Sequence, residues 1–173
     1  MVERTLVVDH LKLEYDGVFN PDELYNVVAS FFFEKGWDWY EKMNELQVTP
    51  AGKQIRMIFE PWKNISDYYK IAVKIKILIS NVTPADLEKD QQKLNVSNGK
   101  INITFDGFVI SDRDNQWSSK PLHWFMSIVF EKYFFRDHFA KAETWIRGDI
   151  EDVHRQVKTY LNSFHYSYSK QGS

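Results

Sequence analysis

Hydrophobic and polar residues alternate through much of the first two thirds of the chain, a pattern that predicts β-strands. The strongest alternation lies between Tyr68 and Val82, where isoleucine and valine occupy one face and lysine the other. The apolar face holds Ile71, Val73, Ile75, Ile77 and Ile79, and the polar face holds Lys70, Lys74, Lys76 and Ser80. Antiparallel sheets often bury one face and leave the other in water. We therefore expect the lysine face to be solvated.

Weaker alternation predicts additional strands on both sides of this one. They cover 5–16, 37–49, 54–60 and 100–111. Residues 37–49 could also extend a helix, but the turn at Pro50 favours a strand that forms a hairpin with 54–60. The polar segment 83–98 is expected to form a protruding hairpin or loop. Gly107 interrupts the last strand, and a glycine inside a strand is typical of a bulge or bend that lets a sheet curl.

The clearest local signal in the sequence is a helix start at Asn20. Its side chain can cap the helix, Pro21 suits the first helical position, and Glu23 is placed to complete a capping box. Gly36 can end the same helix, because glycine readily adopts the left-handed conformation. The sequence therefore predicts a helix between Pro21 and Gly36.

The last third of the chain predicts two helices. The first begins at Pro121, and its aromatic residues surround the axis so completely that it must pack against another surface. Arg147-Gly148-Asp149 is expected to break the helix and cap a second one, whose apolar stripe contains Ile150, Val153, Val157, Tyr160, Leu161 and Phe164. The predicted fold class is α+β, with a curved, largely antiparallel sheet packed against C-terminal helices. Residues 1–166 are expected to form one domain, and 167–173 a flexible tail.

The composition narrows the possible functions. Aromatic residues make up 16% of the 173 residues, and the net charge is −2. Nucleic-acid binders usually present a basic face, so nucleic acid is not an expected partner. The absence of cysteine excludes disulfides, zinc–thiolate sites and cysteine nucleophiles. The sequence shows neither a signal-peptide core nor a transmembrane segment, and a cytoplasmic location is expected.

Motifs for catalysis or cofactor binding are absent from the sequence. It contains no phosphate-binding glycine loop, dinucleotide fingerprint or nucleophile elbow. The five histidines are His10, His123, His138, His154 and His165, and none has the spacing of a helical zinc site. Asp106, Asp112 and Asp114 follow one strand and its exit, where a solvated turn explains them as well as acid–base catalysis does. We therefore expect no metal and no cofactor, and the sequence favours a non-enzymatic function.

The order of strand, helix, antiparallel strands and C-terminal helical region resembles the helix-grip arrangement of the START-like superfamily. The resemblance covers nearly the whole chain as an element order, and the chain also resembles small uncharacterised archaeal proteins of similar length. It departs from the superfamily where a hairpin directly follows the first helix, and in the extra helix that begins at Pro121. The resemblance implies a cavity between sheet and helix for an apolar or amphipathic ligand, although some members act as enzymes or co-chaperones.

Three functions remain open at this point. The first is a binding module that holds an apolar ligand or partner between the sheet and the C-terminal helices. Its candidate lining residues are Phe59, Phe105, Trp124, Phe130, Tyr160 and Phe164. The second is a homo-oligomeric interaction or scaffold protein that uses the aromatic helix over 121–139, for example to form a homodimer. The third is an enzyme for a small hydrophobic substrate. They differ in whether the aromatic residues form core, cavity or interface.

Overall fold

Six strands and two helices make up the described part of the chain. The computed structural model describes residues 2–66, 69–89, 92–112 and 121–169, with side chains described over 3–66, 69–85, 96–111 and 136–164. In chain order the elements are β1 (Val2–Phe19), α1 (Pro21–Glu34), β2 (Glu41–Thr49), β3 (Gly52–Phe59), β4 (Trp62–Asn64), β5 (Tyr69–Lys89), β6 (Gln92–Asp112) and α2 (Pro121–Ser169).

The six strands form one curved, antiparallel sheet in the order β1-β6-β5-β3-β2, and β4 pairs with β5 beyond the end of β3. Strands β1 and β2 lie at opposite edges, although only α1 separates them in sequence. Helix α1 therefore bridges the two edges, and it shares the buried side of the sheet with α2. This arrangement confirms the predicted α+β class, in which a curved antiparallel sheet packs against a C-terminal helix.

The centre of the core lies on β5 and β6, as the alternating pattern predicts. The five isoleucine and valine residues on the buried face of β5 are at most 1% exposed. Ile75 pairs with Phe105 and Ile77 with Ile103, so the apolar faces of both strands coincide. Lys76 is exposed on the opposite face. Pairing continues to Lys89 and Gln92, so the predicted hairpin over 83–98 is an extension of these two strands.

Both predicted ends of α1 are confirmed. The Asn20 side chain accepts hydrogen bonds from the backbone N–H groups of Asp22 at 3.0 Å and Glu23 at 3.3 Å. At the other end, Gly36 has a φ of +75°, and the Trp37 N–H donates to the Phe32 carbonyl at 2.9 Å. The helix thus ends at the glycine, as expected when a residue in the left-handed conformation follows its last turn.

The predicted break at Arg147-Gly148-Asp149 is wrong, because α2 is one continuous helix of 49 residues. The two neighbours of this tripeptide, Ile146 and Ile150, are both 0% exposed. An interior glycine costs a helix only about 1 kcal/mol relative to alanine, whereas burying one isoleucine contributes about 1.5–3 kcal/mol. Helix α2 also includes 167–169, while 170–173 of the predicted tail lie outside the described residues. No described helix has the length and apolar character needed to cross a membrane.

The irregularity expected at Gly107 is found where this glycine pairs with Val8, and the extra residues lie on β1. The register of β1 against β6 shifts between Leu6 and Val8, and again between Val8 and Leu11. Gly107 also has a second role, because a Cβ at this position would lie 2.7 Å from the Cδ1 atom of Ile150. The missing side chain lets α2 approach the sheet closely at this point.

Candidate ligand groove between the two helices

Helices α1 and α2 are joined by polar contacts at two positions. Near the end of α1, Asp149 accepts hydrogen bonds from Lys35 Nζ at 2.7 Å and from Trp37 Nε1 at 3.1 Å. Near the start of α1, the Tyr160 hydroxyl donates to the Glu23 carboxylate at 2.9 Å. The beginning of α1 therefore lies beside the later part of α2, and the helices run antiparallel. The two contacts are about 17 Å apart along the helices at 1.5 Å per residue.

In these two contacts, Lys35 is charged and Tyr160 is protonated at neutral pH. The hydrogen bond that Lys35 donates to Asp149 is the main cause that raises the pKa of Lys35, so this side chain remains an ammonium. Burial is the main cause that raises the pKa of Tyr160, and its hydrogen bond to Glu23 acts in the same direction. The phenol therefore keeps its proton as a donor to the Glu23 carboxylate. Glu23, expected to complete the helix cap, thus connects the two helices.

A groove of about 400 Å³ lies between the two contacts. The least exposed lining side chains are those of Val27, Phe31 and Tyr160, and they give the groove an apolar floor. Exposed polar side chains form its rim, and these are Glu23, Asn26, Ser30, Glu34 and Gln156. The α1 residues recur every three or four positions, so one face of the helix supplies them all.

The rim of the groove carries negative charge. Among the lining residues that the structure describes, Glu23 and Glu34 are the two ionisable ones at the rim, and none is Lys, Arg or His. The neighbouring Lys35 lies with its Nζ atom 4.9 Å from the centre of the Phe31 ring, but Asp149 and Asp152 bind its ammonium group. An apolar floor beneath two carboxylates fits a ligand with an apolar body and a cationic head.

Phe59 and Phe105, two of the predicted ligand contacts, lie in tightly packed core. Both are 0% exposed, as are Ile150 and Val153 of α2. A void large enough for a ligand would leave some surface of its lining residues accessible to a water-sized sphere. Around these side chains, the described interface between sheet and helix is therefore filled by protein. Phe59 stacks on Trp39 with ring centres 4.9 Å apart.

The other four predicted contacts have different positions. Tyr160 lines the groove, and Phe164 packs edge-on against it with ring centres 5.3 Å apart. Trp124 and Phe130 belong to the α2 backbone, but their side chains lie outside the described residues. The same holds for most of the aromatic surface over 121–139, so its predicted role as an interface stays a prediction.

The sequence did not predict the groove, because each of its residues, considered singly, has an ordinary structural role. Val27 and Phe31 belong to the apolar stripe of α1, and Glu23 is placed to cap that helix. Nothing in the sequence indicates that Gln156 and Tyr160, more than 120 positions later, face these residues. The antiparallel pairing of α1 and α2 creates the site.

The structure also assembles a second polar cluster, on β1 and β6. Asp9, His10 and Asp106 each present a side-chain oxygen or nitrogen within 4.8 Å of those of the other two. The sequence singled out His10 and Asp106 only separately, and it gave no reason to pair them. The register of β1 against β6, with its two shifts, brings them together.

Comparisons with known proteins give no family for the chain. No protein-family model matches it, and no curated protein matches it. Among solved structures it is similar to SA2116 from Staphylococcus aureus, a protein of unknown function, at 12% sequence identity and a TM-score of 0.21. That match covers 91% of this chain and 98% of the other. So distant a likeness carries no argument, and the function must be inferred from the residues themselves.

Proposed function

We propose that this protein is a non-enzymatic binding module that holds an amphipathic cation in the groove between α1 and α2. The observation that carries the proposal is the combination of an apolar floor with two rim carboxylates, with no basic side chain among the described lining residues. The volume of about 400 Å³ lies within the range of about 300–1,000 Å³ that is typical of small-molecule sites. An alkyl chain on the partly exposed side chains of Val27 and Tyr160 would bury apolar surface, and an ammonium head would meet Glu23 or Glu34.

The proposal retains the apolar-ligand hypothesis but changes the location of the ligand. Between the sheet and α2, the described side chains leave no room around Phe59 and Phe105. Of the predicted contacts whose side chains are described, Tyr160 is the one that lines the groove between the helices. The resemblance to the helix-grip arrangement is compatible with this proposal only as an order of elements, since the proposed ligand lies between helices.

The test uses two probes with the same chain and opposite heads, octylammonium and octanoate. Each is titrated into the isotope-labelled protein, and backbone amide shifts are followed by NMR. We expect octylammonium to shift amides of residues 23–34 and 156–160, and octanoate to leave them unchanged. Hexylammonium should bind more weakly, because two fewer buried methylenes lower the binding free energy by up to about 1.6 kcal/mol, or roughly 15-fold in affinity.

Matched variants separate this site from general surface charge. Glu34→Gln removes one rim carboxylate and should weaken octylammonium binding, whereas Glu45→Gln removes an exposed carboxylate of β2 and should not. Ser30→Trp places a bulky ring at the rim, at an exposed helical position, and should block binding. Equal binding of both probes, equal effects of the two glutamine substitutions, or shifts that map elsewhere would refute the proposal.

A further inference from the structure

The polar cluster of Asp9, His10 and Asp106 lies on the face of the sheet that points away from α2. Asp106 follows the buried Phe105 on β6, so its side chain leaves the opposite face of the sheet. The Asp106 side chain is nevertheless only 7% exposed, while those of Asp9 and His10 are 69% and 57% exposed. The cluster therefore has one buried carboxylate and an open side toward solvent.

The geometry of the cluster suits a small divalent cation. His10 Nδ1 lies 3.4 Å from Asp106 Oδ1 and also contacts Asp9 Oδ1. Tetrahedral zinc with bonds of about 2.0–2.2 Å to nitrogen and oxygen separates its ligand atoms by roughly 3.3–3.6 Å. A cation on the solvent side of His10 Nδ1 would thus reach all three side chains after small rotations of the two exposed ones.

The burial of the Asp106 carboxylate favours a positive charge beside it. Its contacts in the described part of the chain come from His10 alone, whose backbone N–H donates to Oδ1 at 2.8 Å. Lys74 occupies the paired position on β5, but no ion pair joins it to Asp106 within the described structure. A carboxylate removed from water is costly unless it is paired or bound to metal. Two carboxylates and one imidazole leave negative charge for a cation to neutralise.

The backbone fixes His10 in an unusual position. Its φ of +50° is uncommon for a residue other than glycine, and it follows the first register shift of β1. In a regular strand, the side chains of Asp9 and His10 would point to opposite faces of the sheet. The bulged segment instead brings both of them beside Asp106. Strained residues of this kind are often found at functional sites.

We propose that Asp9, His10 and Asp106 form a binding site for a divalent transition-metal ion of the Zn²⁺ class. The imidazole favours such ions over Mg²⁺ and Ca²⁺, which prefer oxygen ligands only. Three protein ligands leave a fourth position for water on the exposed side. The site is separate from the groove, so each proposal stands or fails without the other.

Calorimetric titration of the untagged full chain with ZnCl₂, and with MgCl₂ for comparison, tests the site. His10→Asn removes the imidazole but retains the N–H that binds Asp106, and asparagine tolerates positive φ. Asp106→Asn removes the carboxylate charge but keeps an acceptor for that N–H. His138→Asn, on an exposed position of α2, is the matched control.

We expect one Zn²⁺ per chain and no comparable binding of Mg²⁺. His10→Asn and Asp106→Asn should each lower the affinity by at least the roughly 10- to 100-fold that loss of an outer-shell partner costs, and His138→Asn should leave it unchanged. The absence of Zn²⁺ binding, or binding that both cluster variants retain, would overturn the inference. If Asp106→Asn fails to fold, as judged by circular dichroism, His10→Asn alone decides the outcome.

Discussion

The close approach of α2 to the sheet at Gly107 gives the sharpest stability prediction. Gly107→Ala introduces a methyl carbon 2.7 Å from Ile150 Cδ1, and 3.2 Å from both Ile146 Cδ1 and Val8 Cβ. Carbon atoms in contact prefer separations of about 3.5–4.0 Å, so the new methyl overlaps Ile150 by roughly 1 Å. All three neighbours are at most 8% exposed, which leaves them little freedom to move away.

Two opposing effects determine the magnitude. Alanine at a glycine position in a strand gains about 0.5–1 kcal/mol, because the unfolded chain loses conformational freedom. Overpacking of a filled core costs about 1–3 kcal/mol. We therefore expect Gly107→Ala to lower the free energy of unfolding by about 0.5–2 kcal/mol, although glycine is the poorer strand former.

A double-mutant cycle identifies the atom responsible. Ile150→Val removes only Cδ1 and should by itself cost about 0.5–1.5 kcal/mol. In the double variant the alanine methyl occupies the space that Cδ1 vacates, so the two losses should not add. We expect a favourable coupling of about 1 kcal/mol or more, measured by urea unfolding with unchanged m-values.

Ile146→Val is the matched control for this cycle. Its Cδ1 lies 0.5 Å farther from the new methyl than that of Ile150, at 3.2 Å against 2.7 Å. Its coupling to Gly107→Ala should therefore be smaller. Additive losses in the Ile150 cycle, equal coupling in both cycles, or a Gly107→Ala variant as stable as the natural protein would refute the proposed contact.

Three further predictions concern the helices. Gly148→Ala should raise the free energy of unfolding by up to about 1 kcal/mol, because a Cβ there meets no atom within 4 Å; a loss of stability would contradict the continuous helix. Asn20→Ala should lower the free energy of unfolding by about 1 kcal/mol through loss of the helix cap. Asn44→Ala, at an exposed position of β2, is the control, and equal losses in the two variants would exclude the cap as the cause. The natural protein should lose stability as the pH rises above 10.0, the ordinary pKa of tyrosine, because the unfolded Tyr160 then ionises while the folded one keeps its proton. Tyr160→Phe should show a smaller loss over the same pH range in urea titrations, and an identical loss would contradict the raised pKa.

Local patterns in the sequence predict much of the fold because each reflects the chemistry of neighbouring residues. The alternation along β5 follows from the two-residue period of a strand, and burial of Ile75 and Ile77 confirms it. The ends of α1 follow from Asn20 and Gly36, which satisfy backbone groups within a few residues. Predictions of this kind need no knowledge of the distant chain.

The same local reasoning failed where distant contacts compete with propensity. Gly148 reads as a helix breaker, yet burial of Ile146 and Ile150 on the sheet favours an unbroken helix. Gly107 lies at the predicted irregularity, since both register shifts flank its pair with Val8, but its close contact with α2 was not predicted. In both cases the decisive partner is remote in sequence from the glycine or its neighbours.

The candidate sites depend almost entirely on the tertiary structure. By itself, the sequence determined the α+β fold class, the buried face of the central strands and the limits of the first helix, because these depend on periodicity and capping. Only the tertiary structure placed Tyr160 against Glu23 and His10 against Asp106, since strand register and helix packing set those distances. Each pair joins residues more than 90 positions apart, and hydrophobic periodicity carries no information about which polar groups meet across such separations.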